Sequence, residues 1–513
     1  MTLRCRAAVA LVALLSGCGA GSTRARTAAP EPVRLTLLYT SDEHGWVAPV
    51  HAAGKPKRGG AAALLARWRD HEGHCVPDDG PCDGASTIAL SGGDNWTGPA
   101  ISTFFKGEIA ALAMRRLGYS AIALGNHELD FGRAIFARNA AAQRIPYLAA
   151  NVTPRASAGG VAEPFTIVRR KGVQVGVVGL STKKAPSAGI RTNYDGLDYG
   201  DEEPAMVRAV DQAYAAGADV VVVISHVCAE ELAPMVARHP DLGLAFVGAG
   251  HCHRDDVRDG AGTPVVEPGS FLRGYVRADL EIDPDAPARH RLRGRARIER
   301  VSLEAPADAP DAPEDPRLRD EIAQAATKTR AALGEVVGYA ARSIEPDSPE
   351  LTNWITDRWR EATRADVAIL NRFATRQAIP RGPVTLETVY SVLPFDNSLA
   401  LMTLRGSDLL HNVTCCGGHV SGVVEREGQV LLPSGRPVDP AAMYRVVATD
   451  YALLGGSGFT FGAADPHATL GEDWRAPLLR WLRANPTTER EPLDARLDST
   501  PRRPAGRGRA GAH

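Results

Sequence analysis

Short, near-continuous aliphatic runs recur along the first 300 residues of this chain, each followed by a loop of glycine and polar residues and then by a helix-like stretch. The runs are residues 35–39, 87–90, 121–124, 173–180, 220–224, 244–247 and 264–266. Strands this uniformly apolar belong to sheets buried on both faces, with helices packed between and over them. The alternation of the two segment types predicts an α/β architecture. At 513 residues the chain is too long for one core, so a second domain is expected.

The polar residues fall where such a sheet places its chemistry, just past the carboxyl ends of the strands. In order they are Asp42, Glu43 and His44; Gly92, Gly93 and Asp94; Gly125, Asn126, His127, Glu128 and Asp130; Ser225 and His226; and Gly250, His251 and His253. Asp, His and Asn without thiolate form a hard-to-borderline donor set suited to Mn, Fe, Zn or Co, and there are more donors than one ion needs. Two divalent ions are expected. The glycines before Asp94, Asn126 and His251 let backbone crowd around such a centre.

Asp42-x-His44, Gly93-Asp94, Gly125-Asn126-His127-Glu128, His226 and Gly250-His251-x-His253 together resemble the calcineurin-like metallophosphoesterase superfamily, motif for motif and in order. Asp130, with Gly59-Gly60 before a helix, resembles the 5'-nucleotidase family in particular. The resemblance implies an α+β four-layer sandwich as catalytic domain and a second, smaller α/β substrate-binding domain. It implies one metal on Asp42, His44 and His253, another on Asn126, His226 and His251, and Asp94 bridging both. Hydrolysis would follow two-metal chemistry, with water attacking phosphorus in line while the cations offset charge on the phosphoryl oxygens. His127 would meet the phosphoryl group and the departing oxygen. Asp130 would favour its charged form, or else interact with a helix N-terminus.

Residues 305–316 turn to Pro, Ala, Asp and Glu and read as a linker, followed by a helical pattern over 317–333. The second domain, 334–486, holds strand-like runs at 367–370, 399–404 and 445–448. Asn371-x4-Arg376, Leu393-Pro394-Phe395-Asp396-Asn397 and Gly455-Gly456-Ser457-Gly458-Phe459 with Asp465 resemble the nucleotidase substrate domain. That implies a base between Phe395 and Phe459, ribose on Asp465, and the phosphate end at Arg376 and Asn371. Two departures bear on the pocket. The family's glycine run is here Arg372-Phe373-Ala374-Thr375, and Pro349 precedes Glu350 where the family carries an arginine. The segment from residue 487 onward, rich in Pro, Arg and Gly, is expected to be a disordered tail.

The amino terminus reads as an address. Arg4 and Arg6 precede an apolar run over 7–15, and Leu15-Ser16-Gly17-Cys18 resembles a bacterial lipobox. It implies a lipoprotein signal peptide over 1–17, lipid on Cys18 and a spacer over 18–32. An ordinary secretory signal with a chance cysteine leads equally to export, so the body belongs on the periplasmic side of a membrane or at the cell surface. In an oxidising compartment the remaining cysteines are structural. Cys75 and Cys82 bracket a short loop, while Cys228 and Cys252 pair if the loops beside His226 and His251 meet.

A formal net charge of -1 supplies no global field for nucleic acid, so the expected partners are a phosphate-ester substrate and, through Cys18, a membrane. The expected function is hydrolysis of nucleoside 5'-monophosphates, with cyclic nucleotides and sugar nucleotides as further candidate substrates. The alternatives are another ester on the same scaffold, since Gly92-Gly93-Asp94-Asn95-Trp96 also resembles a thiosulfohydrolase loop, or a non-catalytic surface-binding lipoprotein. The absence of HExxH speaks against a zinc peptidase.

Overall fold

A computed structural model describes residues 31–49, 59–155, 159–303 and 312–503. The expected signal peptide, Cys18 and spacer lie almost wholly outside the described residues, as do much of the expected linker and the last ten residues. Among the described residues no helix is long and apolar enough to cross a membrane.

Two six-stranded sheets form the centre of the first domain. One runs Arg297–Ser302, Gly274–Ile282, Val33–Thr40, Thr87–Ser91, Ala121–Ala123, Tyr147–Leu148. The other runs Asp255–Gly260, Thr263–Pro268, Leu244–Gly248, Val220–His226, Val173–Ser181, Phe165–Arg170. Within each sheet the strands that lead into the polar loops are parallel, pairing Tyr39 with Leu90, Leu90 with Ala121, and Val247 with Val223. Parallel pairing brings their carboxyl ends to one rim.

Side-chain alternation assigns the layers. Leu35, Leu37 and Tyr39 face the second sheet, where they meet Val175, Val222, Ile224 and Phe246 in a core between the sheets. Leu38 and Ala89 face outward and are covered by Leu64, Trp68, Met114 and Leu117 from the helices Ala61–Glu72 and Glu108–Leu117. On the far side Val178, Val221 and Val223 are covered by Met206, Val210 and Leu232 from Glu202–Ala215 and Ala229–Ala237. Helix, sheet, sheet and helix make the expected four layers, and every residue of the Val220–His226 strand is buried.

The helix Pro316–Leu333 starts where Asp315 accepts a hydrogen bond from the Leu318 amide. Its first turns pack Leu318 and Ile322 into the first domain's core, and Glu321 pairs with Arg116. Beyond it a five-stranded sheet runs His419–Ser421, Val367–Leu370, Met443–Thr449, Ser398–Arg405, Thr469–Asp473. One face carries Trp354, Trp359 and Leu478; the other carries Leu409, Val413 and Phe461.

The tail corrects the reading from composition. Residues 487–503 are ordered against the second domain. Thr487 accepts a hydrogen bond from the Tyr339 amide at 2.7 Å, Leu493 is 0% exposed, and Arg502 forks onto Asp357 at 2.6 and 2.8 Å. A polar, proline-rich segment needs few apolar anchors when a neighbouring surface supplies partners for its backbone and its arginines.

Candidate active site

Asp42 and His44 leave the end of Val33–Thr40, Asp94 the end of Thr87–Ser91, and Asn126, His127 and Asp130 follow Ala121–Ala123. His226 closes Val220–His226, and His251 and His253 follow Leu244–Gly248. The fold brings these groups together in a buried cluster. Asp42 and His226 are 0% exposed, Asp94 1% and Asn126 2%. Three overlapping sets of donor atoms lie within 4.8 Å of one another: Asp42, His44 and His253; His44, Asp94 and His127; and Asp94, His226 and His251. Asp94 Oδ2 sits 2.9 Å from His226 Nε2 and 3.7 Å from His44 Nε2, between the two outer sets. Asn126 Oδ1 lies 3.1 Å from His226 Nε2.

The backbone is bent to make this possible. Asp42, His44, Asp94, His251 and His253 all have positive φ, between 45° and 75°. Each such residue costs on the order of 1–3 kcal/mol and persists only where its surroundings fix it. Here the loops fix one another: Asp42 N donates to Gly93 O at 2.9 Å, His44 N to Asp94 O at 2.8 Å, and His251 N to the Asp42 carboxylate at 3.0 Å. A side chain at Gly125 would strike the Asp94 carboxylate, with a Cβ 2.1 Å from Oδ1.

The cluster fits metal ions. His44 Nδ1 donates to Thr97 O and His226 Nδ1 to Gly92 O, each at 2.8 Å, so their Nε2 lone pairs face the cluster. His44 Nε2 lies 3.1 Å from His253 Nε2 and 3.7 Å from Asp94 Oδ2, and His253 Nε2 lies 3.3 Å from Asp42 Oδ1, a convergence of donor lone pairs that a cation satisfies. Burial opposes charge on Asp42, yet His253 and His226 hold its carboxyl well below the usual carboxylate range.

His127 stands beside this cluster with Nδ1 2.7 Å from Asp130 Oδ2. Burial alone would push its imidazolium down, but Asp130 and Asp94 outweigh burial and raise its pKa above the ordinary histidine value. Two supports carried no assigned role in the sequence. Glu128 accepts from the amides of Gly125, Asp94 and Asn95, and burial pushes it up to about 8. Glu43 accepts from Ser91 and Asn95, and burial pushes it up to about 7. Tyr194, whose hydroxyl donates to Asn126 O, gave no signal at all, being 68 residues from its partner.

The second domain closes the outer side of the site. Arg376 Nη2 lies 3.4 Å from His127 Nε2, with its guanidinium 5.2 Å over Phe395, and Phe395 stacks on His127 at 5.5 Å. Asn371 is 9% exposed; its amide donates to Arg372 O, while Oδ1 has no hydrogen-bond partner among the described residues. Phe459 is placed differently from an open clamp: it is 3% exposed and stacked on Phe461 at 4.9 Å inside the core. Asp465 accepts from the amides of Thr403 and His467. No arginine directly precedes Glu350; Arg342 forks onto Glu350 and is half exposed.

A helix-flanked double sheet whose carboxyl rim gathers acids, histidines and an asparagine around a His–Asp pair defines the class, a metallophosphoesterase. A profile of the 5'-nucleotidase C-terminal domain matches residues 324–415. A 5'-nucleotidase of Vibrio cholerae is 23% identical over 516 residues, covering 88% of this chain and 90% of its own. Among solved structures, a 5'-nucleotidase precursor from Thermus thermophilus has a TM-score of 0.75 at 23% identity, covering 92% of this chain and 99% of its own. The sulfate thiohydrolase SoxB, also from Thermus thermophilus, has a TM-score of 0.69 at 19% identity, covering 94% and 99%. The 5'-nucleotidase C-terminal domain is thus matched over residues 324–415, and over most of its length the chain is similar to 5'-nucleotidases, hydrolases of ester bonds.

Proposed function

We propose that this protein is an exported lipoprotein, anchored through Cys18, that hydrolyses nucleoside 5'-monophosphates to nucleoside and phosphate. The observation that carries this reading is the meeting of His127, paired with Asp130, with Arg376 and Phe395 at the mouth of the donor cluster. One metal belongs on Asp42, His44 and His253, a second on Asn126, His226 and His251, with Asp94 shared. Bound there, the ions supply a water nucleophile at neutral pH and offset phosphoryl charge. The remaining work falls to the chain's own side chains. His127, kept cationic by Asp130, stabilises the departing oxygen and can give it a proton. Arg376 neutralises phosphoryl oxygens, and Phe395 offers a flat apolar face to the nucleoside. A catalytic domain over 33–304 and a substrate domain over 334–486 belong to the same reading. The relatives' names, 5'-nucleotidase in particular, support the substrate class.

The test is phosphate release from nucleoside 5'- and 3'-monophosphates, cyclic nucleotides, sugar nucleotides and a small aryl phosphate, with Mn, Co or Zn and an EDTA control. Metal-dependent turnover favouring 5'-monophosphates, lost in His127→Ala, is the expected result. The resemblance to a sulfate thiohydrolase supplies a second ester class, so sulfate release from an organic thiosulfate ester is measured alongside. Sulfate without phosphate would overturn the nucleotidase reading.

A further inference from the structure

Cys228 and Cys252 form a disulfide. Its two ends are set directly among the expected metal ligands. Cys228 follows His226 by two residues and is the N-cap of the helix Ala229–Ala237, while Cys252 lies between His251 and His253. The bond therefore ties the loop that ends one strand to the loop that ends its neighbour. It also reaches both donor sets, because His226 and His251 belong with Asp94 while His253 belongs with Asp42 and His44.

The loop so tied needs holding. His251 and His253 have φ of 75° and 56°, backbone that a histidine leaves readily when nothing fixes it. Besides the disulfide, hydrogen bonds hold this loop. Gly250 N donates to Val227 O at 3.1 Å, Cys252 N to Gly250 O at 2.9 Å, and His251 N to the Asp42 carboxylate. Glu267, 1% exposed, straps the same two loops a little further out, accepting from Ala229 N at 3.2 Å and Arg254 N at 2.8 Å. The hold from Asp42 draws on an oxygen that is itself an expected ligand, whereas the covalent tie, like the Gly250 and Glu267 bonds, leaves every donor atom available.

We infer that the Cys228–Cys252 disulfide is a positioning device for the metal centre: by locking the His251 and His253 backbone it raises affinity for both ions. This rests on the metal-centre reading above. Ligand-orienting partners of this kind are worth on the order of 10- to 100-fold in metal affinity, and that is the loss expected when the tie is removed.

The experiment compares the whole protein with Cys228→Ser/Cys252→Ser and with a control, Cys75→Ser/Cys82→Ser, which removes the other loop disulfide. Serine is used rather than reduction because freed thiols beside three histidines would themselves bind zinc or cobalt. Affinities for cobalt and zinc are measured by competition with a chromogenic chelator, and melting temperatures are recorded in EDTA. Expected are a 10- to 100-fold loss of affinity for both ions in the 228/252 variant and a change under 2-fold in the control. At saturating metal, turnover should return to within about 3-fold of wild type while the metal concentration for half-activation rises in step. A merely structural role would lower the melting temperature in EDTA and leave chelator competition unchanged. Should the serine variant fail to fold, Cys228→Val/Cys252→Ala restores apolar volume and takes the same measurement. Affinity within 2-fold of wild type overturns the inference alone, whereas a wild type that binds neither ion overturns the metal-centre reading together with it.

Discussion

In the proposed reaction, His127 and Asp130 separate proton handling from metal binding at the level of single side chains. His127→Ala should lower kcat by about 10²–10⁴-fold, the usual span for a lost acid–base group, while chelator competition shows metal affinity unchanged. Asp130→Asn keeps the hydrogen bond's geometry but removes the charge that raises His127. Its kcat should fall less, and the alkaline limb of the pH–kcat profile should move to lower pH, since the imidazolium is then lost earlier. His74 reports on stability. Buried at 7% exposure, with Nε2 donating to Leu117 O at 2.9 Å, it is pushed by burial down to about 4 from 6.5. The unfolded chain thus binds the proton more readily than the folded one. This contribution is present in full above pH 6.5 and is lost as pH falls towards 4, at most about 3 kcal/mol. The melting temperature of His74→Gln should depend less steeply on pH between 4.5 and 6.5 than that of the wild type; parallel slopes would refute the assignment. The expected metal ligands were legible because each follows an apolar strand, a pattern that chance rarely repeats five times. Phe459 and Asp465 were legible only as motif positions. A motif does not say which way a ring faces, and here one ring packs on Phe461.

At the scale of elements, the strands were plain because a parallel strand buried on both faces leaves an uninterrupted aliphatic run in the sequence. The Leu493–Arg496 turn and the segment around it left no such mark. Composition averages over 487–513, so one fully buried leucine among arginines and prolines disappears from it. What holds the segment is non-local: Thr487 to Tyr339, Asp494 to the Ala341 amide, and Arg502 to Asp357. Leu493 is part of the core that contains Val337, Trp354 and Leu482. Leu493→Ala should therefore cost about 2–5 kcal/mol, as other buried leucine truncations do. Replacing Leu470, 62% exposed on the edge strand Thr469–Asp473, should cost under about 0.5 kcal/mol. Chemical denaturation of the two variants checks this; equal midpoints would mean that the tail contributes nothing to the second domain's core.

At the scale of the molecule, the site is made by both domains, because the cluster and His127 come from the first while Arg376 and Phe395 come from the second. The Phe395 ring is set by its own backbone: its carbonyl accepts from Trp474 Nε1 at 3.0 Å and from Arg475, a guanidinium only 1% exposed. Ring placement is thus a property of the second domain's core rather than of a loose loop. A ring stacked on His127 at one end of the proposed nucleotide site can contribute to binding the nucleoside without touching the phosphorus chemistry. Removing it should weaken binding of any nucleoside 5'-monophosphate by roughly the value of one base–aromatic stack, about 1–3 kcal/mol. Phe395→Ala should accordingly raise KM for nucleoside 5'-monophosphates by about 5- to 150-fold. For a small phosphate ester with no base, kcat/KM should stay within about 3-fold of wild type. Steady-state kinetics on the two substrates decide the matter. A parallel loss on both would place Phe395 in the support of His127 rather than in substrate recognition, and an unchanged KM for the nucleotide would remove the aromatic face from the site altogether.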